Sequence, residues 1–307
     1  MTRSVFIDGA VGTTGLEIAE RLASRPEFSL ITLPEARRKD DAARAEALNA
    51  ADFVILCLPD DAARAAVAMI ANDTTRVIDA STAHRIAPGW TYGFPEVVGR
   101  EAIAAAARVA NPGCYPSGFI ALLAPLVRSG LLPADWPYTV NAVSGYSGGG
   151  KALIERFEAD PDIAFRSYGL ALGHKHIGEM QRLCGLAHPP VFAPMVIPAH
   201  RGMVVEIPLP LAAMPGAAAP DALRAALAAF YADSPLVSVA AAPVDELLLR
   251  RSAAAWDGMV LHVFGAADGS QARLVAVLDN LGKGASGAAV QNLNLMAGLP
   301  ATAGLHA

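Results

Sequence analysis

"RSVFIDGAVGTTGLEIAERL", residues 3–22, decides the fold. Its opening "RSVFID" has the β-branched and aromatic content of a short buried strand. A turn follows at once, with Gly9, Gly12 and Gly15 in G-x-x-G-x-x-G spacing. From Leu16 to Leu22 the apolar residues recur at helical spacing. Strand, glycine turn and helix in that order build an anion site. Glycine permits positive φ and close approach of the backbone, and the first-turn amides of the helix point at whatever lies there. The spacing is one residue away from the dinucleotide fingerprint G-x-G-x-x-G. The segment therefore predicts a dinucleotide pyrophosphate on the helix start, with Gly9, Val11, Gly12, Thr13, Thr14 and Gly15 as contacts. A glycine turn needed only for packing is the alternative.

Outward from this unit the alternation continues. Strands are expected over Phe28–Leu33, "DFVILCL" (52–58) and "TRVIDAS" (75–81), with a helix over "DDAARAAVAMIA" (60–71). Strand and helix in turn predict a doubly wound parallel sheet. Ligands of open α/β sheets lie at the carboxyl ends of the strands, so Cys57, Leu58, Pro59 and Ser81 join the cofactor candidates. Glu35 stands where a ribose-binding acid could sit. Arg37, Arg38 and Lys39 follow it and could pair with a 2′-phosphate; a solvated charged loop is the other reading. Beyond residue 114 come longer strand-rich segments: "YTVNAVSGYS" (138–147), "VFAPMVIPAHRGMVVEIPL" (191–209), "GMVLHVFGA" (258–266) and "QARLVAVLDN" (271–280). Few helices separate them, which predicts an α+β domain with a mainly antiparallel sheet. "PDALRAALAAFYA" reads as a helix, and "LGKGASGAAVQNLNLMAGL" as a terminal helix with a glycine-rich start.

With 307 residues, two domains are expected. A net charge of −5 and no basic run longer than Arg37-Arg38-Lys39 leave no footprint for nucleic acid, so small molecules are the expected partners. There is no uncharged apolar run of 18 residues and no signal-like N-terminus, so neither a membrane span nor export is expected, and a cytoplasmic location follows. Cys57, Cys114 and Cys184 are scattered and odd in number, which fits thiols in a reducing compartment.

"NPGCYPSG" (111–118) sets Cys114 between two prolines and two glycines, directly before the apolar run Phe119–Val127. Pro116 suits a first helical turn, so the sulfur is expected at a helix start, where partial positive charge favours a thiolate. The neighbouring amides could stabilise an oxyanion. Cys57, inside an apolar strand, and Cys184, near a helix end, read as small buried residues. On local sequence alone Cys114 stays open between nucleophile and turn residue.

"NPGCYPSG", "SGYSGGGK" (144–151), "GHKHIGEMQ" (173–181), "PAHRGMVVEIPL" (198–209) and "LDNLGKGASGAAVQNLNLM" (278–296) together resemble the N-acetyl-γ-glutamyl-phosphate reductase family, in its compact form. The resemblance runs from Gly9 to Met296 with the motifs in the family's order. It implies a Rossmann domain, NADPH (NADP) as cofactor, and reduction of an acyl phosphate to an aldehyde through a Cys114 thioester in arginine biosynthesis. It also implies that the last helix returns to the first domain. The boundaries are then 1–114 with 281–307 for the dinucleotide-binding domain, and 115–280 for the catalytic, substrate and dimerisation domain.

The reaction needs a proton carrier, and "GHKHIGEMQ" offers His174 and His176, with Glu179 placed to orient one imidazole. His176 is favoured as acid/base, with His174 and Glu179 as support; by the resemblance this cluster faces the cysteine. A metal reading would need His174, His176, Cys184 and His188, whose spacing matches no zinc signature, so no metal is expected. An anionic substrate calls for arginine, and Arg201 in "PAHRG" is the best candidate. Ser144, Ser147 and Gly148 offer hydroxyls and amides for an oxyanion or phosphate, and Asn111 joins them. By the resemblance, Asn280 and Lys283 return to the nicotinamide. Aspartate-semialdehyde dehydrogenase is the competing enzyme reading, and a dinucleotide-binding regulator or scaffold the reading of another class. The large apolar second sheet predicts a homo-oligomer.

Overall fold

A computed structural model describes residues 2–242 and 244–306. The chain divides into two compact units, one formed by the residues up to Pro112 with Ala285–Leu305, the other by Gly113–Gly284 with His306.

The first unit opens with β1 (Arg3–Asp8), α1 (Thr13–Ala23), β2 (Phe28–Ile31), α2 (Asp41–Ala50), β3 (Phe53–Leu56), α3 (Asp60–Met69) and β4 (Arg76–Asp79). It continues through β5 (Thr91–Tyr92), α4 (Pro95–Val98), α5 (Arg100–Ala105) and β6 (Arg108–Ala110). The strands form one six-stranded sheet in the order β2-β1-β3-β4-β6-β5, every pairing parallel. Order reverses between β1 and β3, the switch point at which such sheets hold ligands. Both faces are covered, which is why the strands are continuous apolar runs. Val5, Ile7, Phe53, Ile55 and Val109 pack on one face with Ile18 and Leu22 of α1, and with Ala289, Val290 and Leu293 from the C-terminal segment. Phe6, Val54, Leu56 and Val77 pack on the other with Ala47, Leu48, Ala63 and Ala66.

Two expectations change here. The sequence reading set no helix between the second and third strands, where α2 lies. Its buried contacts are Ala43, Ala47 and Leu48, too few and too small to show as an apolar stripe. Asp40, whose side chain accepts the Ala43 amide at 2.7 Å, is its start signal. The second and third strands are also shorter than expected, ending at Ile31 and Leu56.

The second unit comprises α6 (Cys114–Arg128), β7 (Thr139–Gly145), α7 (Lys151–Ala159), β8 (Arg166–Ser167), α8 (Ile177–Cys184), β9 (Val191–Ile197) and β10 (Met203–Leu209). It then runs through α9 (Pro220–Phe230), β11 (Val237–Val239), β12 (Met259–Gly265) and β13 (Ala272–Leu278). Helix α10 (Gly287–Met296) belongs to the first unit. The seven-stranded sheet has the order β11-β12-β13-β10-β7-β9-β8. Four of its pairings are antiparallel; β11–β12 and β7–β9 are parallel, so the sheet is mixed. Burial alternates along β7, β9 and β10. Met203, Val205 and Ile207 lie on the buried face, where Gly118 of α6 approaches Val205 so closely that an added Cβ would stand 2.8 Å from its Cγ2. On the opposite face Val191 and Ala193 are exposed.

The unit boundary differs from the expected one. Cys114 and residues 281–284 belong to the second unit, in which Gly284 packs against Cys114. Among the described residues no helix is long and apolar enough to cross a membrane.

Candidate functional site

In the first unit, Gly9 adopts φ +90°, and a Cβ there would stand 2.3 Å from the Cys57 carbonyl oxygen. A Cβ at Gly15 would stand 2.4 Å from the Gly9 carbonyl oxygen. Only hydrogen fits at either place. Gly12 caps α1 with extended backbone, and its carbonyl takes the Leu16 amide at 2.8 Å. The amides of Thr13, Thr14 and Gly15 thus lie in the turn that precedes the helical ladder, the geometry of an anion cradle. Behind the turn, buried Asp8 accepts two bonds from Arg44, Nε at 3.2 Å and Nη2 at 2.9 Å. Sequence reasoning passed over this pair.

Burial, with the Asp79 and Asp8 carboxylates nearby, pushes the Cys57 thiol up to about 12. It stays protonated at neutral pH, so Cys57 serves the turn through its backbone. Arg37 is half exposed and lies 3.9 Å from Asp40 and 4.0 Å from Glu46. Ser81 donates its hydroxyl to Asp79 at 2.7 Å and accepts the Ala83 amide at 3.1 Å. Asn111 is buried: its amide donates to the Ala285 carbonyl at 3.0 Å, and its oxygen accepts from Asn292 at 3.1 Å. Both partners belong to the first unit, so within that unit the Asn111 side chain ties the end of β6 to the C-terminal segment.

In the second unit, Cys114 is the first residue of α6, and Gly113 is its extended N-cap. The first helical bond runs from the Ser117 amide to the Gly113 carbonyl at 2.9 Å, and Pro116 removes a donor that the helix would not have used. Glu179 is buried on α8, and its Oε2 accepts the Gly113 amide at 3.2 Å. The sequence reading gave Glu179 to an imidazole; this bond ties it to the turn that carries the cysteine. The His176 amide donates to His174 Nδ1 at 3.2 Å. The two rings lie 4.7 Å apart at 71°. His174 Nδ1 is thus the accepting atom of that bond.

Three aromatic residues that the sequence reading did not single out wall this cluster. Tyr115 lies 6.0 Å from His176, and Phe192 5.0 Å from His174, by ring centroids. Tyr168 lies 5.6 Å from His174. Burial, then Tyr168 and Cys114, raise the Tyr115 phenol far above its ordinary value; burial chiefly raises Tyr168. Both therefore act as donors: Tyr168 to the Tyr115 oxygen at 3.4 Å, and Tyr115 to the Met195 carbonyl at 3.1 Å. Burial likewise pushes the Cys184 thiol up.

Arg201 pairs with buried Asp279, Nη1 to Oδ2 at 2.8 Å. Asp279 also accepts the Leu281 amide at 2.9 Å and the Trp256 amide at 3.3 Å. Asn280 donates to the Ser147 hydroxyl at 2.9 Å and accepts the Gly202 amide at 2.9 Å. It thereby stitches the loop after β7 to the turn that carries Arg201. Ser144 donates to the Gly145 carbonyl at 2.9 Å. Gly148 lies beside both, an added Cβ being 3.4 Å from Asn280 Nδ2. Lys283, of the second unit, is buried in the wide helical turn Gly282–Ser286. Asp279 adjoins the Asn280 that the sequence reading chose; its acidic character against Arg201 was the available signal.

Residues 4–106 match the family described as "Semialdehyde dehydrogenase, NAD binding domain", and 114–280 match "Semialdehyde dehydrogenase, dimerisation domain". An N-acetyl-gamma-glutamyl-phosphate reductase of Chelativorans sp. is 52% identical over 307 residues, covering 96% of this chain and 98% of its own. The protein named N-acetyl-gamma-glutamyl-phosphate reductase 2 in Nostoc sp. is 47% identical over 319 residues, with 98% of both chains covered. Among solved structures, aspartate semialdehyde dehydrogenase II of Vibrio cholerae, complexed with ASA, superposes with a TM-score of 0.71 at 17% identity. It covers 96% of this chain and 98% of its own, a likeness of fold alone.

Proposed function

The chain belongs to the semialdehyde dehydrogenase family, in its N-acetyl-γ-glutamyl-phosphate reductase branch, and on that premise we propose that it reduces N-acetyl-γ-glutamyl phosphate to N-acetylglutamate semialdehyde with NADPH, in arginine biosynthesis. The observation that carries the reading is Cys114 at the start of α6, on a turn bonded to buried Glu179.

The glycine turn fits a dinucleotide, because hydrogen alone is tolerated at Gly9 and Gly15 and three first-turn amides border the cradle. When bound, NADPH supplies the hydride. Arg37 is the group for a 2′-phosphate, since it is half exposed and stands 3.9 Å from Asp40 and 4.0 Å from Glu46, beyond hydrogen-bond distance. The Cys114 thiolate attacks the acyl carbon, and the carbon–oxygen bond to phosphate breaks with its electron pair leaving on phosphate. As the thioester is reduced, protonated His176 gives its proton to the former carbonyl oxygen, and it takes the same proton back as the carbon–sulfur bond breaks, which frees the aldehyde and restores the thiolate. His176 suits this better than His174, because protonating His174 at Nδ1 would set it against the amide it now accepts. Arg201, oriented by Asp279, is the cation for a substrate carboxylate or phosphate, with Ser144, Ser147 and Gly148 beside it.

Self-association as a homodimer would use the uncovered face of the second sheet, where Val191, Ala193, Met195 and Ile197 of β9 are exposed or half-buried and apolar. Free thiols at all three cysteines suit a cytoplasmic enzyme.

The reverse assay tests the activity: N-acetylglutamate semialdehyde, phosphate and NADP⁺, followed by NADPH absorbance. Wild type should turn over, and Cys114→Ser should not while it still binds NADPH. A clear preference for the aspartyl compounds, or turnover by Cys114→Ser, would replace this reading.

A further inference from the structure

The first unit holds a second buried polar cluster, apart from the glycine turn. Asp79 ends β4 with no exposed surface. Its Oδ1 accepts the Ser81 amide at 2.8 Å, and its Oδ2 accepts the Ser81 hydroxyl at 2.7 Å and His84 Nδ1 at 2.6 Å. A carboxylate accepts only, so Nδ1 is the donor and the His84 ring is fixed in orientation. The ring lies flat on Trp90, centroids 4.2 Å apart at 13°. Trp90 in turn packs on the core between the sheet, α2 and α3. A second carboxylate, Asp60 at the start of α3, accepts both the amide and the hydroxyl of Thr82. Arg85 donates to the carbonyls of Ala80 and Asn111. Six consecutive residues after β4 are thus held by side chains where an ordinary connection would be loose.

The location gives this loop a role. Register places Asp8, Leu56 and Asp79 level with one another across β1, β3 and β4. The loop after β4 therefore stands beside the glycine turn at the same edge of the sheet, about 10 Å away at the ordinary spacing of two strands. In sheets of this order the pyrophosphate sits on the helix after β1, and the adenosine ribose meets the acid after β2. The nicotinamide half must then run the other way, across β3 and β4.

We propose that His84 is a positioning residue for the nicotinamide half of the dinucleotide, acting through Asp79 and the loop that the two hold. The inference rests on the dinucleotide reading of the first unit and goes beyond the residues assigned above. His84 makes no chemical step. Its Nδ1–H satisfies a buried carboxyl oxygen, and its ring face, stacked on Trp90, sets the height of the loop over the strand ends.

Two variants separate the components. His84→Phe keeps the ring on Trp90 and removes the donor; His84→Asn keeps a donor near the Nδ1 position and removes the ring. NADPH binding is read by fluorescence titration, which needs no turnover, and steady-state kinetics follow. His84→Phe should weaken NADPH about tenfold in both Kd and KM, the effect of one lost hydrogen bond to a charged group. The KM for the acyl phosphate, and kcat at saturating NADPH, should stay within about twofold. His84→Asn should recover most of the NADPH affinity. The proposal is overturned if His84→Phe binds NADPH as wild type does, if both variants lose affinity equally, or if the loss lies in kcat alone, as a general folding defect would give. A wild type that binds NADPH but reduces no acyl phosphate removes the activity proposed above and leaves this test readable. A wild type that binds neither NADPH nor NADH overturns both.

Discussion

Replacing Gly284 by alanine tests whether the segment after β13 sets the position of the sulfur. The new methyl would stand 2.9 Å from Cys114 Cβ and 3.1 Å from the Asp279 carbonyl oxygen. Carbon atoms rest at about 3.5–4.0 Å, so the pair must separate by about 0.6 Å or more. Neither neighbour is the far end of a flexible side chain: one is the Cβ of the first residue of α6, the other a backbone carbonyl. Overpacking of this kind costs about 1–3 kcal/mol, which lowers Tm by about 2–4 °C per kcal/mol in units of this size. The larger effect is on rate, because a misplacement of about 1 Å can cost on the order of a hundredfold. The expected outcome is a kcat reduced by about tenfold to a hundredfold, slower release of phosphate in a single turnover without NADPH, and unchanged NADPH affinity. Differential scanning fluorimetry reports the stability loss, and rapid-quench phosphate release reports acylation. A variant with lowered Tm but kcat within twofold of wild type would refute the argument that this contact places the sulfur.

Three further outcomes follow from the geometry. Gly9→Ala forces a Cβ to within 2.3 Å of the Cys57 carbonyl and a positive φ on a residue that resists it, so NADPH affinity should fall at least tenfold by fluorescence titration, with about 1–2 kcal/mol from the backbone alone. Iodoacetamide at pH 8 should label Cys114 alone by peptide mass mapping, since burial raises Cys57 from the ordinary 9.0 to about 12 and raises Cys184 as well. Raised thiol values favour the protonated fold, so their contribution to stability is complete below pH about 9 and is lost as pH climbs toward about 12, which a melting series reads. Asp279→Asn takes the anion from Arg201 and leaves a largely buried cation without it, a loss of roughly 3–5 kcal/mol in the fold; the KM for the acyl phosphate should rise while NADPH affinity holds.

The centre of the parallel sheet was legible because β1, β3 and β4 are largely buried and so appear as apolar runs beside turn signals, whereas β5 and β6, with two and three residues, are too short to show a pattern. Helix α2 was not, since alanines at its buried positions blur the periodicity that marks a helix. In the second unit the alternation along β7, β9 and β10 was visible, but parallel pairing of β7 with β9 depends on which strands meet, and no local pattern encodes that. At the site, residues with distinctive chemistry could be picked out: a cysteine between prolines, two histidines two apart, an arginine in a turn. Their partners could not. Asp279, Tyr168 and Phe192 matter through contacts with residues distant in sequence, and the bond from Gly113 to Glu179 is of the same kind. The bond to Gly113 spans 66 positions, and only the packing of α8 on α6 brings it about.

That bond has an electrostatic consequence. The positive end of α6 is shared by two anions, the Glu179 carboxylate on the Gly113 amide and the thiolate that Cys114 must form. Each weakens the hold of the helix on the other. Glu179→Gln keeps an oxygen for the Gly113 amide and removes the competing charge, so alkylation of Cys114 should proceed at lower pH than in wild type. Glu179→Ala removes the acceptor too, leaves a buried amide without this partner at a cost of about 1–3 kcal/mol, and should lower both Tm and kcat. If Glu179 serves a histidine instead, both variants should lose kcat alike, with the alkylation profile of Cys114 unmoved. A thiolate held too firmly by its helix would be a poor nucleophile, and a carboxylate at the same amide moderates that hold.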